Sequence, residues 1–338
     1  MNVPQTSLES SHFPVMLNEV IKICSPEKGG SFLDCTFGGG GYSEELLKFP
    51  NTKVTALDRD KSVLGKAEKI LKKYHHRFSF YNEKFSNLDK ILEGKEKVDT
   101  IIFDLGMSSF QLMDLNRGFS FKSNSKIDMN MGLSPISAEE VLNNFDESSL
   151  KSIIKILGEE KESTKIVKNI LKVRKKKKIL NIPQLVDIIK KSKKRNFSKK
   201  INVCTKTFQA LRIFVNKEIT ELIEGVSKAT KFIKSDGKII IISFHSIEDK
   251  IIKFYFKNFS ENNLRPSRYL PEDSQEKLLF FKDKKNNLIR PTEKEIELNP
   301  PSRSAKLRFA TRNEKSFEEP KIFKKKFEKY LSLESLNV

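Results

Sequence analysis

Three aspartates and a glycine run in the first third of the chain have the types and spacing of a nucleoside site. Asp34 precedes the glycines at 38 to 41, and Asp58 and Asp104 each end a further apolar stretch. Glycines directly after a strand let a ligand approach the backbone, because no Cβ intervenes. A carboxylate at the end of the next strand can accept hydrogen bonds from both hydroxyls of a ribose. The pattern predicts a nucleoside-binding crevice, whereas a glycine run alone would be typical of a flexible turn.

The residues after the glycines narrow the choice of nucleoside. A phosphate-binding Walker loop needs Lys-Ser or Lys-Thr here, but Gly41 is followed by Tyr42 and Ser43. A dinucleotide cofactor favours G-x-G-x-x-G, and these glycines are contiguous. Three carboxylates suit a ligand with a cationic ammonium and sulfonium better than they suit a pyrophosphate. We therefore expect S-adenosylmethionine, and an NAD-dependent oxidoreductase is the alternative that shares the glycine loop and Asp58.

Short apolar stretches alternate with amphipathic ones around these residues. Strands are predicted at residues 31–34 (SFLD), 53–58 (KVTALD), 77–81 (RFSFY) and 98–104 (VDTIIFD). Between the second and third, residues 60–74 have the apolar spacing of a helix with one buried face. This alternation is typical of a parallel sheet with helices on both faces, in which the carboxyl ends of the strands share one edge.

From residue 111 to about residue 202 the alternation stops, and every pattern is helical. Helices are predicted there at residues 137–145, 148–157, 164–173 and 183–192. The alternation then resumes with a long helix at 208–232, a strand at 238–244, a helix at 247–256 and a late strand at 305–312. We therefore expect an α/β domain formed by residues 1–110 and 206–338, interrupted by an all-helical insertion at residues 111–205.

The charge of the chain is concentrated in that insertion. The 338 residues carry 64 Lys and Arg against 44 Asp and Glu, a net charge of +20, and residues 151–200 alone hold 18 basic and 4 acidic residues. No apolar run reaches the ~18 to 20 residues of a membrane helix, and residues 1–11 lack the pattern of a secretory signal. Three scattered cysteines and four scattered histidines favour neither disulfides nor a zinc site, which suits the cytoplasm.

Many segments, in one order along the chain, resemble the bacterial ribosomal RNA small subunit methyltransferase H family, also called MraW. The segments are residues 12–20 (HFPVMLNEV), the loop after Asp34, 56–60 (ALDRD), 104–109 (DLGMSS) with 111–112 (QL), 117–121 (RGFSF), 128–129 (DM), 207–213 (TFQALRI) with 215–216 (VN), 243–249 (SFHSIED) and 303–308 (RSAKLR).

The resemblance implies both a fold and an activity. The fold would be a class I S-adenosylmethionine-dependent methyltransferase sheet, which is Rossmann-like, with an inserted helical domain. The activity would be methylation of the exocyclic N4 of a cytosine in the decoding region of 16S ribosomal RNA, within the small ribosomal subunit. By position in the family, the S-adenosylmethionine contacts fall on Gly40, Gly41, Tyr42, Asp58, Phe85, Asp104 and Gln111. A non-catalytic RNA-binding assembly factor with the same fold is a second alternative.

The chain departs from the family pattern at several positions. Tyr42 replaces the usual histidine, Asn130 and Gly132 stand where the family has Arg and Asp, and the segment that begins at Asn202 lacks the family's His and Arg. Lysine cannot reproduce the bidentate fork of a lost arginine. These departures bear on RNA recognition more than on cofactor binding.

The proton acceptor for the transferred amine is not marked by a motif. His245, after the predicted strand at 238–244, is a candidate, and the alternative is a structural histidine at the start of a helix. The Asn299-Pro300-Pro301-Ser302 segment resembles an amine-methyltransferase motif but lies far down the chain, so we interpret it as unrelated. Lysines of the insertion would contact RNA phosphates, namely Lys172, Lys175, Lys176, Lys177, Lys178, Lys190, Lys191, Lys193, Lys194, Lys199 and Lys200.

Overall fold

A seven-stranded sheet forms the centre of the protein. The computed structural model describes residues 14–108, 111, 114–193, 202–261, 278–283 and 287–337, so Lys194, Lys199 and Lys200 lie outside the described residues. The strands are β1 (Gly30–Asp34), β2 (Thr52–Leu57), β3 (Phe78–Tyr81), β4 (Val98–Asp104), β5 (Ile233–Ser243), β6 (Asn287–Ile289) and β7 (Lys306–Thr311). Their order in the sheet is β3-β2-β1-β4-β5-β7-β6.

Helices connect and cover the strands. Those of the sheet region before the helical stretch are α1 (Leu17–Cys24), α2 (Gly41–Leu47), α3 (Leu64–Lys73) and α4 (Leu88–Leu92). The helical stretch contains α5 (Ala138–Asn144), α6 (Glu147–Ile156), α7 (Ser163–Arg174) and α8 (Ile182–Ser192). The remainder are α9 (Thr205–Asn216), α10 (Glu218–Phe232), α11 (Ser246–Asn258), α12 (Glu293–Leu298) and α13 (Lys321–Glu334). None of these described helices is long and apolar enough to cross a membrane.

Alternating side chains on the central strands divide the apolar core between the two faces of the sheet. On β4, Ile101 and Phe103 belong to one cluster and Ile102 to the other, as the two-residue period of a strand requires. The first cluster continues into the helical stretch, where it includes Ile153 and Leu185. The helices of residues 138–192 therefore pack against the sheet region through continuous apolar contacts.

The sequence predicts most of these elements, and the α/β sheet is confirmed. The predicted helix at 208–232 is wrong as a single element, because Lys217 adopts a left-handed conformation with φ of 51° between α9 and α10. This break turns the chain at the point where α10 begins. The predicted late strand exists as β7, but it runs antiparallel to β5.

The direction of each strand decides which residues share an edge. Strands β1 to β5 are parallel neighbours in the sheet, so Asp34, Asp58 and Asp104 lie at their common carboxyl edge. Because β7 is antiparallel, its first residue, Lys306, pairs with Ser243 at the end of β5. The residues just before β7 are therefore also at the carboxyl edge, beside the aspartates.

Candidate active site

A cavity of about 330 Å³ opens at the carboxyl edge of the sheet. This volume lies within the range of ligand sites in proteins. Its wall includes the predicted residues Gly41, Tyr42, Asp58, Phe85, Asp104 and Gln111. Six of the seven cofactor contacts expected from the resemblance thus line one cavity, and the seventh, Gly40, does not.

The glycine loop is shaped mainly by packing. Gly40 has φ of 77° and donates its N–H to the Phe37 carbonyl oxygen over 2.7 Å, and a Cβ there would lie 2.8 Å from the Phe37 ring. A Cβ on Gly41 would lie 2.1 Å from Cγ of Pro14. Both positions favour glycine because neighbouring side chains lie too close for a Cβ. The structure therefore assigns Gly40 to the turn itself, while Gly38, with its N–H on Asp58, and Gly41 form the wall.

Asp34 stabilises this loop through hydrogen bonds and is not part of the described cavity wall. Its carboxylate is buried and accepts a 2.7 Å hydrogen bond from Ser43 Oγ and a 3.2 Å bond from the Thr36 N–H. Burial raises the pKa of Asp34 to about 6. Of the three aspartates singled out in the sequence, two face the cavity and one holds the loop.

Asp58 faces the cavity with its carboxylate held in place by the backbone. Oδ2 accepts from the Gly38 N–H at 2.8 Å, and Oδ1 accepts from the Asp60 N–H at 2.8 Å. Burial raises the pKa of Asp58 to about 6. Each oxygen keeps a second lone pair, so the carboxylate can also accept from the two hydroxyls of a ribose.

Phe85 presents a fixed aromatic face to the same cavity. Its ring packs edge-on against Phe103, with centroids 5.4 Å apart and planes at 83°. A Cβ on Gly225 of α10 would lie 2.5 Å from Cδ2 of Phe85, so the glycine makes the space that the ring occupies. A ring held by these contacts is a suitable platform for a flat purine.

Asp104 is a strongly perturbed carboxyl group of the cavity. Burial, with the charge of Asp34 adding to it, raises the pKa of Asp104 to about 8. The Tyr42 hydroxyl donates to the Val15 carbonyl oxygen at 2.5 Å and lies 3.3 Å from Asp104 Oδ2. Oδ1 is buried and has no hydrogen-bond partner among the residues that the structure describes. An unpaired acceptor of this kind favours a cationic or hydrogen-bond-donating ligand.

Gln111 lines the cavity, but both ends of its amide are engaged. Nε2 donates to Asp60 Oδ2 at 2.8 Å, and Oε1 accepts from the Ser108 N–H at 3.0 Å. Arg117 donates to the same Asp60 oxygen. Gln111 therefore fixes the shape of this wall through Asp60, rather than offering a free amide to the cofactor.

His245 takes the structural position that the sequence left open as an alternative. It is the N-cap of α11, where Nδ1 accepts from the Glu248 N–H at 3.4 Å while Nε2 lies 3.1 Å from Glu248 Oε1. The side chain is 8% exposed and is not part of the cavity wall in the described chain. The geometry supports helix capping, and the role of His245 as the proton acceptor stays a prediction.

Sequence reasoning missed a charged group that also lines the cavity. Arg212 of α9 donates from Nε and Nη2 to the two oxygens of Glu218 on α10, at 2.8 Å each. Glu248 adjoins this pair. Burial by itself would raise the pKa of Glu248, but His245 and Arg212 hold this pKa below its ordinary value. Arg212, Glu218 and Glu248 all line the cavity. Arg212 stands within the segment TFQALRI, but only the break at Lys217 brings Glu218 back onto it.

The carboxylates of this group also have a spacing that a metal ion could use. Ligand atoms of Glu218, His245 and Glu248 lie within 4.8 Å of one another. Both Glu218 oxygens, however, already accept hydrogen bonds from the Arg212 guanidinium. A permanent cation therefore balances these carboxylates, and a second cation would be repelled by it.

The Asn299 segment is not remote from the site, contrary to the sequence interpretation. Asn299 and Pro301 line the cavity, and Pro300–Ser304 forms a short 3₁₀ helix leading into β7. They reach it because β7 is antiparallel and begins at the carboxyl edge. The sequence could not show this, since it depends on the direction of a strand that follows the segment.

Sheet order, glycine loop and cavity together define a class of protein. The strands are parallel except for β7, which lies antiparallel between β5 and β6. With a carboxylate after β2, an aromatic ring after β3 and a buried unpaired carboxyl oxygen at the end of β4, this is the arrangement of a class I methyltransferase that uses S-adenosylmethionine. The residues present fit that cofactor, since its ribose, its adenine and its cationic end each meet a suitable group.

Sequence comparison places the chain within one family of this class. The profile of the MraW methylase family matches residues 9–313. A protein of Rickettsia bellii named ribosomal RNA small subunit methyltransferase H is 43% identical over 309 residues, covering 90% of this chain and 99% of that protein. A protein of the same name from Rickettsia canadensis is 42% identical over 305 residues, covering 90% and 98%. The chain belongs to the MraW methylase family.

Solved structures of low sequence identity align over most of the chain. An rRNA methylase from Streptococcus thermophilus gives a TM-score of 0.40 at 11% identity, covering 90% of this chain and 100% of that one. A putative methyltransferase from Streptococcus mutans in complex with SAH gives a TM-score of 0.39 at 10% identity, covering 89% and 99%.

Proposed function

We propose that this methyltransferase transfers a methyl group from S-adenosylmethionine to the exocyclic N4 of a cytosine in the decoding region of 16S ribosomal RNA. The relatives named above supply the substrate class, since they are ribosomal RNA small subunit methyltransferases. The observation that carries the proposal is the buried, unpaired Oδ1 of Asp104 in the same cavity as Asp58 and Phe85.

The cavity residues divide the cofactor between them. S-adenosylmethionine, when bound, supplies an electrophilic methyl group on a sulfonium. Asp58 accepts hydrogen bonds from the ribose hydroxyls, because its carboxylate is already oriented by the Gly38 and Asp60 N–H groups. Phe85 stacks on the adenine, and Asp104 faces the cationic end of the ligand. Burial disfavours the ionised form of Asp104, and the positive charge of the bound ligand offsets part of this free-energy cost.

Methylation of a cytosine amine also requires positioning. The N4 lone pair is delocalised into the ring, so the amine is a weak nucleophile and must be held in line with the methyl group. The target base belongs to folded RNA and has to be turned out of it into the cavity. A cavity that opens at one edge of the sheet, with apolar core behind it, can receive such a base and exclude water around it.

We assign the RNA-facing role to the helical insertion, residues 111–205. Lys175, Lys176, Lys177 and Lys178, at and after the end of α7, are all exposed. Exposed lysines can meet phosphates without giving up other bonds. Lys193 is different, because it pairs with Glu160, donates to the Val203 carbonyl oxygen and is only 13% exposed. It therefore holds the insertion together, and we remove it from the expected RNA contacts.

The proposal is tested by mass spectrometry of nucleosides from 16S ribosomal RNA. RNA is isolated from cells with the gene, without it, and without it but carrying an Asp104→Asn variant. We expect an N4-methylated cytidine to be lost on deletion, to return with the wild-type gene and to be reduced with the variant. Unchanged N4-methylcytidine on deletion would refute the substrate, and binding of NADH in place of S-adenosylmethionine in calorimetry would refute the cofactor.

A further inference from the structure

One wall of the cavity is not used by any group of the cofactor assigned above. It is formed by Arg212 of α9 and by Phe244, which follows β5, and both residues line the cavity. Glu218 of α10 and Glu248 of α11 contact them and also line the cavity. This wall therefore holds a cation and an aromatic ring next to two carboxylates.

The Arg212 side chain is held in one orientation but keeps donors free. Its Nε and Nη2 are both engaged by Glu218 at 2.8 Å, and the side chain is 13% exposed. A guanidinium carries five N–H donors in a fixed plane, and Glu218 accepts from two of them. Within the described part of the chain, Nη1 donates to no other group. The remaining donors are therefore available to a ligand in the cavity.

Phe244 is fixed with comparable firmness. Its backbone N–H donates to Glu248 Oε2 at 2.8 Å, so the end of β5 is tied to the first turn of α11. Its ring lies against Gly106, where a Cβ would come within 3.2 Å of Cδ2. Gly106 has φ of 102° and follows β4 two residues after Asp104. The ring therefore lies beside the strand end that carries Asp104 and offers a flat surface to a base.

These groups are within electrostatic reach of one another. The charge of Glu248 contributes to the raised pKa of Asp104, and Arg212 contributes to the lowered pKa of Glu248. The cavity thus combines an unpaired acceptor at Asp104, a cationic donor at Arg212 and an aromatic face at Phe244.

The pattern of donor and acceptor matches one pyrimidine better than the other. The Watson–Crick edge of cytosine has an amino donor at N4 and acceptors at N3 and O2, whereas uracil has an acceptor at O4 and a donor at N3. A guanidinium can serve the acceptors of cytosine but is opposed by the N3–H of uracil. A carboxylate can accept from an amine but repels a carbonyl oxygen.

We propose that Arg212 and Phe244 form the binding site of the target base, with Arg212 as the specificity-determining residue. Its guanidinium donates to the acceptor edge of the cytosine, the base lies on the Phe244 ring, and the N4 amine lies toward Asp104, next to the cationic end of the cofactor. Glu218 is a positioning residue that acts by orienting Arg212. This inference rests on the proposed function, since it takes a cytosine in ribosomal RNA as the substrate.

The test measures three quantities for each variant. They are the single-turnover rate of methyl transfer to small ribosomal subunits from cells lacking the gene, the Kd for S-adenosylmethionine by calorimetry, and the Kd for the subunit. For Arg212→Met we expect the rate to fall about 10- to 100-fold, as for removal of a base-reading hydrogen bond, with both Kd values changed less than about twofold. Arg212→Lys should lose less, and methylguanidinium in solution should restore part of the rate of Arg212→Ala.

Control variants separate base reading from folding. Arg212→Met leaves Glu218 without its partner, so the double variant Arg212→Met with Glu218→Gln removes the stranded charge and should fold while staying slow. Arg77→Met is the matched control, because Arg77 is likewise a half-buried arginine that donates hydrogen bonds, here to the Phe49 and Leu47 carbonyl oxygens, and it is not part of the described cavity wall. It should keep the wild-type rate.

Each outcome decides between the two proposals. A wild-type rate in Arg212→Met, or a rate loss matched by an equal loss of S-adenosylmethionine affinity, would overturn the role of Arg212 while leaving the proposed function intact. A wild-type enzyme that leaves the subunits unmethylated would refute the proposed function and this inference with it.

Discussion

Replacing Gly225 by alanine tests whether Phe85 is the adenine platform. The new Cβ would lie 2.5 Å from Cδ2 and 3.0 Å from Cε2 of Phe85. Carbon atoms prefer separations of about 3.5 to 4.0 Å, so the ring must shift by about 1 Å. The same Cβ would make an ordinary contact with Phe103, 3.5 Å from its Cε1, so the clash falls on Phe85.

The size of the effect follows from opposing terms. Alanine in a helix interior is favoured over glycine by about 1 kcal/mol, and overpacking costs about 1 to 3 kcal/mol. We therefore expect a net loss in the free energy of unfolding of about 0 to 2 kcal/mol. An aromatic contact contributes about 0.5 to 1.5 kcal/mol, so displacing the ring should weaken S-adenosylmethionine binding by about 2- to 12-fold.

Calorimetric titration gives the Kd, and urea unfolding gives the stability. Gly65→Ala is the matched control, since Gly65 lies in α3, is exposed and would place its Cβ in open space. We expect that variant to gain up to about 1 kcal/mol in stability with an unchanged Kd. If Gly225→Ala binds S-adenosylmethionine as tightly as the wild type, the assignment of Phe85 to the adenine is refuted.

The helix cap, the buried carboxyl group and the insertion each give a further prediction. His245→Ala should lower the free energy of unfolding by about 1 kcal/mol because the N-cap is removed, His245→Asn should restore it, and both should methylate at the wild-type single-turnover rate; a slow His245→Asn that folds normally would contradict the capping role. The raised pKa of Asp104, about 8, means that the folded protein holds a proton that the unfolded chain releases near pH 4. The free energy of unfolding should therefore fall as the pH rises from 5 to 8, and in urea unfolding the Asp104→Asn variant should show a smaller fall. An identical pH dependence in both proteins would disprove the raised pKa of Asp104. Changing lysines 175–178 to glutamine should lower the salt slope of subunit binding by about 1 for each phosphate that the lysines neutralise, and the same change at the exposed Lys72 and Lys73 of α3 should leave the slope unaltered; equal effects at the two places would rule out a local RNA contact.

Apolar periodicity is sufficient to predict the sheet, but not the break within the last long helical stretch. The segment around Lys217 contains neither glycine nor proline, so nothing local indicates its left-handed conformation. In an unbroken helix Arg212 and Glu218, six residues apart, would lie on different faces. The ion pair therefore could not be predicted from their spacing, although it forms a principal part of the cavity wall.

In the candidate site, too, residues whose position follows from the local sequence could be predicted, and residues whose position depends on tertiary contacts could not. Asp58 and Asp104 could be placed from the sequence, because a residue that ends a parallel strand must lie at the carboxyl edge. Asn299 could not, because its place depends on the reversal of β7. Gln111 was predicted as a site residue on family position alone, and its engagement with Asp60 depends on contacts across the fold.

The antiparallel β7 also has a consequence for the protein while it is being made. Until β7 is synthesised, β5 is the outer strand of the sheet on that side, and its Ile239, Ile240, Ile241 and Ile242 offer an apolar edge to other chains. β7 ends 68 residues after β5, which a ribosome adds in roughly 3 to 14 s. During that interval the nascent chain can aggregate through the unpaired edge of β5. The strand that covers this edge, β7, is also the one that brings Asn299 and Pro301 into the cavity. Synthesis of β7 and the segment before it thus both protects the edge of β5 and completes the wall of the cavity.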